Sequence, residues 1–188
     1  PKQKIYVVEA DCDRPFEGVF LSTFLKPDVT IWLSSSRTHS MNFDILVKQG
    51  KFKSVEDAVA HEYGYFVKET SDLVMVIADY EVINNQLTRA KAQVVKFSER
   101  ENLKEYSVDE HGTKFLINAK TYKFSSMLPK ITFFSIASVE KLVSYLGFDF
   151  NPEFADFKIP PGRGTIFRGI KDTIIIDSSY NASKEPVL

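Results

Sequence analysis

The first hundred residues alternate between short β-branched apolar runs and segments whose apolar side chains recur at helical spacing, and this alternation constrains the fold more than any other feature. Ile5–Val8, Asp28–Leu33, Asp72–Ala78 and Gln93–Phe97 each read as a strand: short, rich in Val and Ile, and bounded by polar residues or proline. Between them, Glu17–Leu25 carries Val19, Phe20, Leu21, Phe24 and Leu25 as a helical face. Ser54, with Asp57 three positions on, makes an N-cap, after which Val55, Ala58, Val59, Glu62, Tyr63 and Phe66 continue at helical spacing. A shorter helix falls near Glu81–Ala90. Strands separated by helices are joined by crossovers, so the order predicts an α/β fold with a doubly wound, mostly parallel sheet.

The pattern then changes. Leu103–Ser107, Thr113–Ile117 and Thr121–Phe124 are short strands with turn residues between them, His111-Gly112 among these, and read as a small antiparallel meander. Ile131–Leu146 is a long helix with Phe134, Ala137, Val139, Leu142, Val143 and Leu146 on one side and Gly147 as its C-cap. Phe154–Phe157 suits a short helix, Pro160-Pro161-Gly162 a sharp break, and Thr165–Arg168 and Thr173–Asp177 two further strands. No repeat or long linker interrupts the chain, which reads as one domain over 1–188.

Composition removes several function classes. With 24 Lys+Arg against 25 Asp+Glu the net charge is -1, so no general electrostatic attraction to nucleic acid or a membrane surface is expected. No apolar run approaches the ~20 residues of a bilayer span. The single Cys, Cys12, cannot form an internal disulfide, which fits a reducing cytoplasm, and 3 His with one Cys are too few for a Cys/His zinc site. The 16 Phe are expected in the core and at interfaces, with any surplus on the surface marking places where other domains pack. His61 and His111 read as surface residues and Cys12 as an unreactive loop thiol. The chain enters its first apolar run within a few residues of Pro1, without a signal peptide, and stops soon after the last strand, so it reads as a piece of a longer protein.

Nucleotides bind at the carboxyl ends of parallel strands, usually on a G-x-x-x-x-G-K-[ST] loop. None of the 8 glycines stands in that frame. Oxygen and nitrogen ligands do fall at strand ends: Glu9 follows the first strand, and His39 follows the second after the polar loop Ser34–Thr38. A carboxylate and an imidazole converging on one sheet edge suit a magnesium ion that keeps several waters. The alternative is that Glu9 caps the next helix and His39 is an ordinary loop residue.

The stretch Val7-Val8-Glu9-Ala10-Asp11-Cys12-Asp13-Arg14-Pro15-Phe16-Glu17-Gly18, followed by Lys26-Pro27-Asp28, resembles the central domain of the Mur ligases, most closely the MurF branch, which adds a D-Ala-D-Ala dipeptide to UDP-muramoyl-tripeptide. Pro161-Gly162-Arg163 and then Ile174-Ile175-Ile176-Asp177-Ser178-Ser179-Tyr180-Asn181-Ala182 continue the resemblance at the far end. It implies a cytoplasmic, three-domain ATP-dependent ligase of peptidoglycan and cell-wall synthesis, tied to cell division. The central domain binds ATP and magnesium, and the flanking Mur domains bring the UDP-muramoyl-peptide and the amino acid or dipeptide. An acyl phosphate is formed and an amine attacks it. In that register Glu9 and His39 match the family's magnesium ligands, Asn181 matches the residue facing adenine, and Asp177 and Arg163 match positions near the ribose and phosphates. The family's phosphate loop would precede Pro1.

Departures accompany the matches. Tyr63 stands where the family carries a carbamylated, magnesium-bridging lysine, after an insertion around Asn42–Lys53. Ile131-Thr132 replaces a His-Asn pair, Ser178 a second Asp, and Ser183-Lys184 an Asn-Pro. Two expectations therefore stand side by side: the central domain of an active ligase, or a degenerate Mur-like domain kept as a non-catalytic binding or scaffold module. On its own the piece is expected to be inactive.

Overall fold

The structure, a computed structural model, describes residues 5–35, 40–154, 157, 160, 162, 165–177 and 179. The chain divides into two compact units, Pro1–Lys96 and Phe97–Leu188.

In the first unit, α1 (Glu17–Leu25) leads into β1 (Val29–Trp32). A 3-10 turn at Met41–Phe43 and α2 (Asp44–Lys48) precede α3 (Val55–Glu69), β2 (Leu73–Ile77), α4 (Glu81–Gln86) and β3 (Gln93–Phe97). The sheet order is β1-β2-β3, and β1 runs parallel to β2 with Val29 opposite Leu73 and Trp32 opposite Val76. Every residue of β2 is buried, which explains why its five apolar side chains do not alternate with polar ones. Helix α3 starts where the sequence places it, with Ser54 Oγ accepting the Asp57 N–H at 3.1 Å. The insertion, which the sequence left without structure, supplies α2 and Phe43. Phe43 is fully buried with Val55, Ala58 and Val59, and Leu46, Val47, Phe52 and Tyr63 close over them.

Helix α1 lies against α3 at Gly18. A Cβ there would stand 2.2 Å from the Glu62 carbonyl oxygen, so only glycine allows this approach. The other side of α1 is uncovered: Phe16, Phe20 and Phe24 are 77%, 67% and 77% exposed. Surplus phenylalanines are therefore found on the surface as expected, three of them on or beside α1.

One sequence expectation fails here. Ile5–Val8 is neither buried nor a strand: it pairs in no ladder, and all four side chains are exposed. A β-branched run has strand propensity, but the strand forms only against a neighbour, and among the described residues none lies beside it.

The second unit opens with α5 (Glu99–Asn102) and the antiparallel meander β4 (Leu103–Asp109), β5 (Gly112–Ile117) and β6 (Lys120–Phe124). Phe115 on the middle strand is fully buried, 5.2 Å from the Tyr106 ring and 6.1 Å from Phe124. Helix α6 (Thr132–Tyr145) follows, and its Glu140 accepts the Tyr122 hydroxyl at 2.8 Å while pairing with Lys120. Gly147 ends it in the expected cap, with the Phe148 N–H returning to the Val143 carbonyl at 3.0 Å. Ile131 and Thr132 sit at the helix start, where Ile131 offers no side-chain cap. Strands β7 (Thr165–Arg168) and β8 (Ile174–Asp177) pair antiparallel, Thr165 opposite Asp177. The α/β architecture with a parallel sheet and a separate antiparallel meander is the one the sequence predicts. Among the described residues no helix is long and apolar enough to cross a membrane.

Candidate functional site

The carboxyl end of β1 collects the chemistry of the first unit. Trp32, its last residue, is buried and donates its indole N–H to the Ser34 carbonyl at 2.8 Å. Its ring lies 5.7 Å from that of Tyr63 on α3. Tyr63 in turn donates its hydroxyl to Asp11 Oδ1, and the same oxygen accepts the Cys12 N–H at 2.8 Å. Cys12 is 2% exposed beneath the loop.

Further bonds hold that loop. Glu17 Oε2 accepts the N–H groups of Asp13 and Arg14 at 2.8 and 2.9 Å, which ties the loop to the first turn of α1. Asn42 donates to the Asp13 carbonyl at 3.0 Å. Glu62, buried at 5% exposure, accepts the Gly18 N–H at 3.0 Å. The segment from Asp11 to Gly18 is thus tied to α3 and to the turn before α2 by named polar bonds.

Electrostatics follow from this packing. Burial first, then the carboxylates of Glu62, Asp11, Glu17 and Asp13, push the Cys12 thiol up to about 12, so it stays protonated and is no nucleophile at neutral pH. Burial and the bond to Asp11 hold the Tyr63 phenol far above its ordinary value, so it is a neutral donor. His61, expected on the surface, is half-buried between Phe52 at 5.3 Å and Tyr65 at 5.4 Å. Burial and then Arg89 lower its pKa. His111 is exposed as expected.

Of the residues singled out in the sequence, Glu9 is exposed at the head of this loop. Asp177 is half-buried at the end of β8, where its carboxylate accepts the Ser179 N–H at 3.1 Å. His39, Arg163 and Asn181 lie outside the described residues. Asp11 and Glu62 are site residues that sequence reasoning passed over. Glu62 carried a usable signal, a carboxylate on the apolar face of a helix, which must find a buried donor. The hydroxyls of Ser35 and Ser40, on either side of segment 36–39, are buried and have no hydrogen-bond partner among the described residues.

Among the described residues no three His, Cys, Asp or Glu side chains come together as a cation site. A protonated phenol that donates to a carboxylate does not fit the part of a cation-bridging ligand at Tyr63.

No family model and no curated protein matches the sequence. Among solved structures the chain is similar to the crystal structure of the MurF ligase from Thermotoga maritima in complex with ADP. The TM-score is 0.71 at 20% identity, and the match covers 91% of this chain and 40% of that one. The likeness is one of fold, and this chain spans well under half of the ligase it matches.

Proposed function

We propose that this chain is the nucleotide-binding central domain of a Mur-type, ATP-dependent acid–amino acid ligase. The observation that carries the reading is the fold shared with a MurF ligase over nearly the whole chain, together with a polar, tightly held loop at the carboxyl end of a parallel strand. In this reading the chain is part of a longer protein, whose phosphate loop and flanking domains lie outside it. A substrate carboxylate attacks the terminal phosphoryl group of ATP, ADP leaves, and an amine displaces phosphate from the resulting acyl phosphate to form the amide.

The protein's task is then to position these groups and neutralise charge as the phosphoryl group moves. Glu9 and His39 would hold the accompanying magnesium ion, which supplies that charge. Asn181 would face the base, and Asp177 and Arg163 would approach the ribose and phosphates. The ATP contact that the resemblance implies for a His-Asn pair would be lost here, because Ile131 and Thr132 occupy that helix start.

A second reading, a non-catalytic Mur-like binding module, is favoured by one specific observation: Tyr63 is engaged with Asp11 and carries no charge. Calorimetric titration of the full parent protein with ATP and magnesium separates the two. Saturable binding is expected, weakened about tenfold or more in Glu9→Ala, the scale of a lost charge-assisted contact. Absence of binding by the parent would leave the second reading.

A further inference from the structure

Tyr63 touches each part of the site that has to stay together. Its ring packs on Trp32 at the end of β1, its backbone belongs to α3, and its hydroxyl reaches Asp11 two residues beyond Glu9. Asp11 is exposed, and a solvated carboxylate needs no phenol for its own sake; the bond serves to fix the chain on either side of it. Cys12, directly next in the chain, is 2% exposed.

Resting on the reading above, we propose that the Tyr63–Asp11 pair is a clasp that does the structural work of a cation at this position: it holds the loop from Glu9 to Glu17 on α3 without a divalent ion. A bridging cation would join the loop to the helix through a shared charge. The pair joins the same two elements through a hydrogen bond between a neutral donor and a charged acceptor, one of the stronger kinds. The order of the loop, and through it the placement of Glu9, then becomes independent of divalent ions on the Tyr63 side of the site. Tyr63 is accordingly a positioning residue that acts through Asp11.

Cys12 is the reporter. Its alkylation by iodoacetamide at pH 8 measures opening of the loop, and circular dichroism checks that each variant is folded. The wild-type chain is expected to react at the same slow rate in EDTA and in 10-fold excess magnesium chloride over EDTA. Tyr63→Phe and Asp11→Ala are expected to react about tenfold faster or more, the effect of removing a charge-assisted bond on a local opening equilibrium, with no rescue by magnesium. Asp11→Asn keeps a carbonyl oxygen for the same donors but loses the charge, and is expected to react at a rate between those of the wild type and Asp11→Ala. Should Tyr63→Phe fail to fold, the two Asp11 variants still decide the matter.

The proposal is overturned if EDTA alone exposes Cys12 in the wild type, or if Asp11→Ala and Tyr63→Phe react no faster than the wild type. It is equally overturned if magnesium restores protection to either variant. Nucleotide binding by the parent enters none of these measurements, so failure of the ligase reading and failure of the clasp are separate results.

Discussion

Gly18→Ala will lower the stability of the first unit by about 3 kcal/mol, the upper part of the range for overpacking a tight contact. Helix propensity alone argues the other way, since alanine is favoured over glycine inside a helix by about 1 kcal/mol. The geometry decides the sign. The new Cβ would meet the Glu62 carbonyl oxygen at 2.2 Å, its carbon at 2.6 Å and the Glu62 Cα at 2.9 Å. All of these are backbone atoms of α3, so no side chain can rotate out of the way, and α1 and α3 must separate. Separation also stretches the 3.0 Å bond from the Gly18 N–H to the Glu62 carboxylate, leaving a charge that is 5% exposed without its donor. Urea denaturation followed through Trp32, the only tryptophan in the chain, reads the change. A gain in stability would mean that the two helices do not approach this closely.

In the second unit the largest effect falls on Phe115→Ala, at about 3–5 kcal/mol. The ring is fully buried on the middle strand of the meander and contacts Tyr106 and Phe124 on its two neighbours, so truncation removes contacts in both directions and leaves a cavity that the strands cannot close. Phe148→Ala, at a position 60% exposed, is the control and is expected to change stability by about 0.5 kcal/mol or less. Denaturation followed by tyrosine circular dichroism compares the pair. Equal losses for the two variants would contradict the assignment of the core.

Much of this architecture could be read from the chain because local signals and packing agree. The Ser54 cap, the Gly147 stop and the unbroken apolar run of β2 each have a short-range cause that the structure retains. The strand expected at Ile5–Val8 does not form for a physical reason: strand propensity states what a segment does when a neighbour is present, and among the described residues none pairs with it. The site was legible in part. Tyr63 could be picked out by its departure from a familiar motif, whereas of Glu9 the structure shows only that it is exposed, two residues ahead of Asp11. Their connection through Asp11 could not be found, because a phenol reaching a carboxylate 52 positions away in sequence leaves no periodic trace. Helix α2 escaped for a similar reason, since its five residues are too few to show a period.

The proposed function has Glu9 and His39 share a divalent ion, while Tyr63 is engaged with Asp11. Titrating the isotopically labelled chain with manganese(II), and following paramagnetic broadening residue by residue, tests this most directly. The account predicts that side-chain signals of Glu9 and His39 broaden together and first. Broadening of one without the other, or broadening centred on Asp11 and Tyr63, would contradict it.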